Sequence, residues 1–236
     1  MAYHVIWSDL GLVEYDAARG LMEALRGAAA ADGAPGHVIF LEHPPTITLG
    51  YSLKGDEGRS AIRSSEAELR AEGIKVALVD RGGKATYHGP GQMICYLMLS
   101  LKELRLGVKR YVGKLMELVV ESLRDLGLAA ELDPAYPGVW VGRAKVAAVG
   151  IKVAGGVTTH GFAINLDPDL AQFRHIVPCG IADRPVTSLA ALGIGPPAAE
   201  TLRRLLLWHM EQEFKIELSH QAPEEVWSGI KRGAGQ

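Results

Sequence analysis

Cysteine is scarce in this chain: Cys95 and Cys179 are the only two among 236 residues. So few thiols exclude a disulfide-framed scaffold, and no Cys/His spacing suggests zinc. Charge of one sign is also missing. The formal net charge is −2, so no global field attracts nucleic acid or an anionic membrane. No apolar run reaches the roughly 18 residues of a membrane span. The start, Met1-Ala2-Tyr3-His4-Val5-Ile6-Trp7, has no basic stretch followed by a long apolar one, so no secretory leader is read. A reducing cytoplasm is the expected location, and it keeps a thiol free. No Gly precedes Lys-Ser or Lys-Thr in a phosphate loop, and the glycine spacing fits no dinucleotide fingerprint.

What is present is core. Hydrophobic residues make up 48% of the chain, enough for a sizeable interior. Strands are expected over residues 3–8, 37–42, 46–49, 74–79, 92–99, 138–141, 144–153 and 157–166. Helical spacing links Leu12, Tyr15, Leu21, Met22 and Leu25, then residues 108–126, then 198–214. Ser65 with Glu68 forms a capping-box pattern. Gly142-Arg143 reads as a hairpin turn. Asp167-Pro168 reads as a helix start. Interleaved strands and helices, with hairpins clustered late, give an α/β (α+β) fold class: a mixed β-sheet with flanking helices. No linker divides the chain. Residues 1–236 read as one domain, with 1–215 as its core and a tail that frays after Ser228.

Four segments carry candidate chemistry, the last of them Thr158 to Asn165 around His160. Arg81-Gly82-Gly83-Lys84-Ala85-Thr86-Tyr87-His88 leads into Gly89-Pro90-Gly91-Gln92. Four glycines and a proline let this backbone approach a ligand closely, although ordinary turns share the composition. Lys145 precedes Val146-Ala147-Ala148-Val149-Gly150. A strand lysine among small residues is either desolvated or, after a hairpin turn, solvent-facing. Lys152 falls on the opposite face of an unbroken strand. Cys179 sits between Pro178 and Gly180, a rigid turn whose amides can face an oxyanion. Cys95, inside Met93-Ile94-Cys95-Tyr96-Leu97, reads instead as a buried small hydrophobe. His160 is either an acid/base group or a hydrogen-bonded structural histidine.

Taken in order, these segments resemble the lipoyl(octanoyl) transferase family. The markers are Leu41-Glu42-His43-Pro44-Pro45, Arg81-Gly82-Gly83 with Thr86 to Gln92, Lys145 to Gly150, His160-Gly161, and Pro178-Cys179-Gly180-Ile181 with Val186-Thr187-Ser188-Leu189. The resemblance implies the fold of biotin and lipoate protein ligases. It implies an octanoyltransferase with a Cys179/Lys145 dyad and no cofactor or metal. It also implies an acyl pocket from Arg81, Gly82, Gly83, Lys84, Ala85, Thr86, Tyr87, His88, Ala148, Val149, Gly150, Gly161, Phe162 and Ala163. The expected donor is octanoyl-acyl-carrier protein. The expected acceptors are lipoyl domains of 2-oxoacid dehydrogenases and the glycine cleavage H protein. The pocket is expected as a narrow apolar tunnel. One departure stands out: members often carry a tryptophan where this chain has Gly155-Gly156-Val157, which bears on the expected pocket wall. Two rivals differ in class: a ligase that adenylates its acyl group, distinguished by its need for ATP, and a silent acyl-binding module, distinguished by forming no acyl adduct.

Overall fold

The computed structural model describes residues 2–53, 61–177, 184–195 and 198–233. Cys179 and its neighbours Pro178 and Gly180 lie outside them. Eight strands form the main sheet: β1 (Tyr3–Leu12), β2 (Gly36–Glu42), β6 (Gln92–Met98), β7 (Ala130–Asp133), β8 (Tyr136–Val141), β9 (Ala144–Ala154), β10 (Val157–Asn165) and β11 (Ile216–His220). Their order is β11-β1-β2-β6-β10-β9-β8-β7. β1 runs parallel to β11 and β2, and the remaining pairings are antiparallel. A second sheet, in the order β4-β3-β5, joins β3 (Thr46–Leu49), β4 (Lys75–Leu78) and β5 (Ala85–His88). The mixed sheet with flanking helices is the expected architecture.

The helices divide between the two faces of the main sheet, except the short helix Glu66–Ala71, which packs through Leu69 on the small sheet. Their order is α1 (Tyr15–Ala28), α2 (Glu66–Ala71), α3 (Leu101–Leu104), α4 (Val108–Asp125), α5 (Ala198–Phe214) and α6 (Pro223–Gly233). On one face α4 presents Tyr111, Leu115, Leu118 and Leu123, and α5 presents Leu202, Leu206 and Met210, to Phe40, Cys95 and Leu97. On the other, α1 presents Ala18, Leu21, Met22 and Leu25 to Ile39, Ile94, Tyr96 and Met98. Successive β6 residues thus enter opposite cores, which is why this strand reads as a continuous apolar run. The small sheet has its own core of Ile47, Leu49, Leu69, Ala85, Tyr87 and Phe173.

Local signals hold where side chains meet backbone. Ser65 accepts from the Glu68 amide and Glu68 from the Ser65 amide, completing the capping box. Gly142 and Arg143 form the β8–β9 turn. Two expectations, for Leu12 and for Asp167-Pro168, are corrected. Leu12 is an exposed residue of β1, not part of α1. Asp167-Pro168 starts no helix; Asp169 caps the 3-10 turn Leu170–His175, accepting from the Ala171 amide. The chain beyond 215 adds β11 beside β1, and α6 continues to Gly233 with Val226 buried against the α1 core. Gly155 and Gly156 form the β9–β10 turn at φ 60 and 78. The departure from the family pattern falls at this hairpin turn, and Gly155 and Gly156 are not among the residues that line the two cavities described below.

Candidate active site

The segment from Arg81 to His88 divides between turn and strand. β5 pairs with β3, and its side chains alternate. Thr86 and His88 face a cavity between the two sheets, whereas Ala85 and Tyr87 enter the small-sheet core. Arg81, Gly83 and Lys84 reach the cavity from the preceding turn. β9 supplies Ala148, Val149 and Gly150, and β10 supplies Gly161, Phe162 and Ala163. Of the residues assigned to the acyl pocket, Gly82, Ala85 and Tyr87 are absent from this wall. The Gly82 amide instead donates to the Ile151 carbonyl at 2.9 Å. Strand alternation accounts for Ala85 and Tyr87.

The wall also holds residues that the sequence did not assign: Tyr15, Ile94, Tyr96 and His160. The expected apolar tunnel is therefore a mixed one, with Ile94, Val149 and Phe162 set against phenols, imidazoles and a guanidinium. Tyr96 lies within the apolar β6 run, which hid its hydroxyl. Arg81 is buried, with Nη2 donating to the Thr48 carbonyl at 3.0 Å and its hydroxyl at 2.6 Å. This arginine braces the small sheet while bordering the cavity. Gly161 permits the close approach of β10 to β6, since a Cβ there would stand 2.2 Å from the Cys95 carbonyl oxygen.

The histidines form a neutral, oriented set. His43 Nδ1 lies 2.6 Å from the Val13 carbonyl oxygen, so that nitrogen carries the proton. Its Nε2 then accepts from the Tyr96 hydroxyl at 2.8 Å. Burial lowers the His43 pKa from 6.5 to about 4 and pushes His88 well down. His160 is also lowered, chiefly by burial, against a hydrogen bond to Asp80 at 3.2 Å. His160 adopts φ 58 inside a strand, a left-handed conformation costly for a non-glycine residue and concentrated at functional sites.

Lys145 lies deeper. A smaller cavity holds it with Gln92, Ala147, Asn165, Phe173 and Val186, and shares Thr86, Ala148 and Ala163 with the first. Lys145 is 5% exposed, and its Nζ has no hydrogen-bond partner among the described residues. Its nearest described attraction is the Trp140 ring, with the centroid 4.9 Å away. Burying a charge without an acceptor costs several kcal/mol in general, which sets this amine apart from the paired lysines Lys75, Lys102, Lys114 and Lys152. The solvent-facing alternative for Lys145 is excluded.

The chain on either side of the Cys179 segment is fastened. Ile176 pairs with Ile62, and the Val177 amide donates to the Ala61 carbonyl at 3.0 Å. On the far side, the Lys145 amide donates to the Pro185 carbonyl at 2.9 Å and the Thr187 amide donates to the Lys145 carbonyl at 2.9 Å. Asn165 Nδ2 donates to the Thr187 carbonyl at 2.8 Å, and Gln92 Nε2 donates to Asn165 Oδ1 at 2.9 Å. Cys95 is fully buried, and burial raises its thiol pKa well above the usual range. It is a core residue, as expected.

The fold and this wall define a catalytic domain of known type. Residues 14–211 match the family described as "Lipoyl protein ligase A/B catalytic domain", and the chain belongs to that family, among its octanoyltransferases. The octanoyltransferase of Chloroflexus aurantiacus is 45% identical over 201 residues, covering 84% of this chain and 88% of that one. That of Solibacter usitatus is 38% identical over 210 residues, covering 89% and 93%. Among solved structures, a bi-partite lipoate protein ligase of Thermoplasma acidophilum superposes with TM-score 0.75 at 17% identity, covering 99% of this chain and 92% of that one. Lipoate-protein ligase A bound with ATP gives 0.75 at 19%, covering 98% and 93%. The biotin protein ligase of Aquifex aeolicus gives 0.52 at 15%, covering 90% and 70%. At these identities the structural likeness is one of fold.

Proposed function

We propose that the protein transfers an octanoyl group from octanoyl-acyl-carrier protein to a lysine amine of lipoyl domains, through a thioester on Cys179. The observation that carries this reading is Lys145. Its amine is buried and without an acceptor among the described residues, at one end of a small-residue cavity, beside the chain that follows the Cys179 segment. The relatives named octanoyltransferase supply the acyl class. The Thermoplasma ligase, described together with its E2 lipoyl domain, supports the acceptor class.

The chemistry balances without a nucleotide. The Cys179 thiolate attacks the octanoyl carbonyl, a new C–S bond forms, and the carrier thiol leaves with a proton. The acceptor lysine amine then attacks the enzyme thioester, an amide forms, and the Cys179 thiolate leaves. The first exchange is near balance and the second is downhill. A free lysine holds its proton with a pKa of about 10.4, so the attacking amine must be relieved of it. Lys145 takes that proton and, earlier, the thiol proton. The octanoyl chain occupies the cavity lined by Ala148, Val149, Phe162 and Ala163. The acceptors are lipoyl domains of 2-oxoacid dehydrogenases and the glycine cleavage H protein. Residues 1–236 act as one acyltransferase domain.

Intact mass after mixing with octanoyl-carrier protein, without nucleotide, tests the reading. The expected result is a gain of one octanoyl group that Cys179→Ser abolishes. An unmodified wild-type chain, or transfer that requires ATP, overturns it.

A further inference from the structure

Two features of β8 surround Lys145 and a third packs on its aromatic pair, and none is a hydrogen bond to the lysine amine. Gly138 adopts φ 118, and a Cβ there would stand 2.7 Å from the Ala147 carbonyl oxygen and 3.1 Å from Lys145 Cε. Only a bare backbone leaves room for the lysine stem. Just beyond, the β8–β9 register shifts, so that Val139 faces Ala147 while Trp140 faces Lys145. Trp140 is 1% exposed, and its Nε1 donates to the Tyr136 carbonyl at 3.0 Å, which fixes the ring plane. The third feature is a second cation. Arg184 stacks 4.2 Å from the Tyr136 ring and 5.0 Å from the Trp140 ring, and bridges to Asp133 at 2.7 Å. Arg184 directly precedes Pro185, whose carbonyl holds the Lys145 amide.

We infer that Trp140 is a positioning residue of the acyl transfer: its indole face, kept clear by Gly138, sets where the Lys145 amine stands against the reacting carbonyl. This inference rests on the transfer proposed above. A carboxylate partner would also hold the amine, but would occupy its donors and favour the charged form more strongly than a ring does. An aromatic face attracts the ammonium without accepting a proton along a fixed line. The ammonium is thereby located with its donors left free, and the neutral amine formed when it gives up a proton keeps its lone pair for the substrate. Arg184 on the same aromatic pair ties the chain after the Cys179 segment to the platform that places Lys145. A change in Trp140 therefore alters the geometry of the reaction rather than the capture of the donor.

The test compares Trp140→Leu with Trp140→Phe in octanoyl transfer, measuring kcat, KM for the carrier protein and the pH dependence of kcat. Misplacing a reacting group by about 1 Å costs up to about a hundredfold. The Leu variant should lose about ten- to a hundredfold in kcat, with KM within about threefold and a displaced pH profile. The Phe variant, which keeps a π face, should recover most of the loss. A folded Leu variant with wild-type kcat overturns the inference, as do equal losses in Leu and Phe with an unchanged pH profile. If Trp140→Leu does not fold, Gly138→Ala decides: the same kcat loss supports the inference, and wild-type kcat overturns it. Intact mass separates this inference from the reading beneath it. No octanoyl adduct on the wild-type chain fails the reading, whereas an adduct formed at wild-type rate by Trp140→Leu fails only the inference.

Discussion

Lys145 and Lys152 share strand β9 and meet opposite surroundings. Lys152 is half-buried near the β9–β10 turn and bridges to Asp80 at 2.5 Å and Glu23 at 3.6 Å. The hydrogen bond it donates to the Asp80 carboxylate raises its pKa. Its charge is used up in joining α1 and the strand to the turn after β4. Lys145 is buried at the other end of the strand with an aromatic ring and no described acceptor. The difference teaches where to look for chemistry on a strand. A satisfied charge is structural, whereas an unsatisfied buried one has been kept for something that arrives later.

The largest expected effect breaks the comparison by charge. Lys145→Arg keeps the cation but does not release its proton. Turnover of octanoyl transfer should fall by about 10²- to 10⁴-fold, the usual contribution of a general acid/base. Lys152→Gln should stay within about threefold, since its partly exposed pair with Asp80 lies outside the residues that line the two cavities of the site. Comparable turnover by Lys145→Arg would leave Lys145 an electrostatic partner only.

The second prediction extends the contrast from lysines to histidines. Burial holds His43 near pKa 4 against 6.5 when unfolded, so the unfolded chain binds the extra proton between these values. Stability is fully present above about pH 6.5 and declines as pH falls toward about 4, by about 3 kcal/mol from this one group. The urea midpoint followed from pH 7 to 4 should fall steeply in wild type and less steeply in His43→Gln. Parallel curves would mean that His43 does not titrate against folding.

A third test sharpens the view of the space between the two lysines. Ala148 lines both cavities. Filling it with Leu displaces acyl methylenes, each worth about 0.8 kcal/mol or roughly fourfold in preference. A series of acyl donors should shift toward shorter chains in Ala148→Leu, and coincident profiles would remove Ala148 from the acyl site. The smallest effect belongs to Lys152. Its replacement by Gln should cost about 0–1 kcal/mol in thermal or urea unfolding, less at high salt. A larger, salt-insensitive cost would make the Asp80 bridge a core element.

Which of these surroundings the sequence reveals depends on how local the cause is. The capping box of Ser65 and Glu68, the α4 stripe from Tyr111 to Leu123 and the Gly142-Arg143 turn are written in adjacent residues, and all are legible. β7 and β11 are not, because short edge strands such as Ala130–Asp133 carry no full period of alternation. β5 was masked by its glycine-rich flanks. At the site, Lys145 and the small residues of β9 and β10 stood out through composition. Tyr96 did not, because a buried tyrosine in an apolar stretch looks like core until its hydroxyl is seen beside His43, and Tyr15 read only as a core position of α1 until its ring is seen 5.0 Å from that of His43. Trp140 was equally silent, since it meets Lys145 through a register shift that only the paired strands display.

The bonds that join Lys145 to Pro185 and Thr187 run entirely through main-chain atoms. One residue therefore keeps two separable offices, with the peptide acting as a fastener and the side chain, under the proposed function, as a reagent. Replacing the side chain leaves the fastener in place. Variants at position 145 thus report on proton transfer with the following chain still anchored, a separation that mutagenesis of an enzyme seldom offers. The same division means that drift at positions 185 and 187 leaves the fastener intact wherever the backbone path is kept, since neither side chain takes part in it.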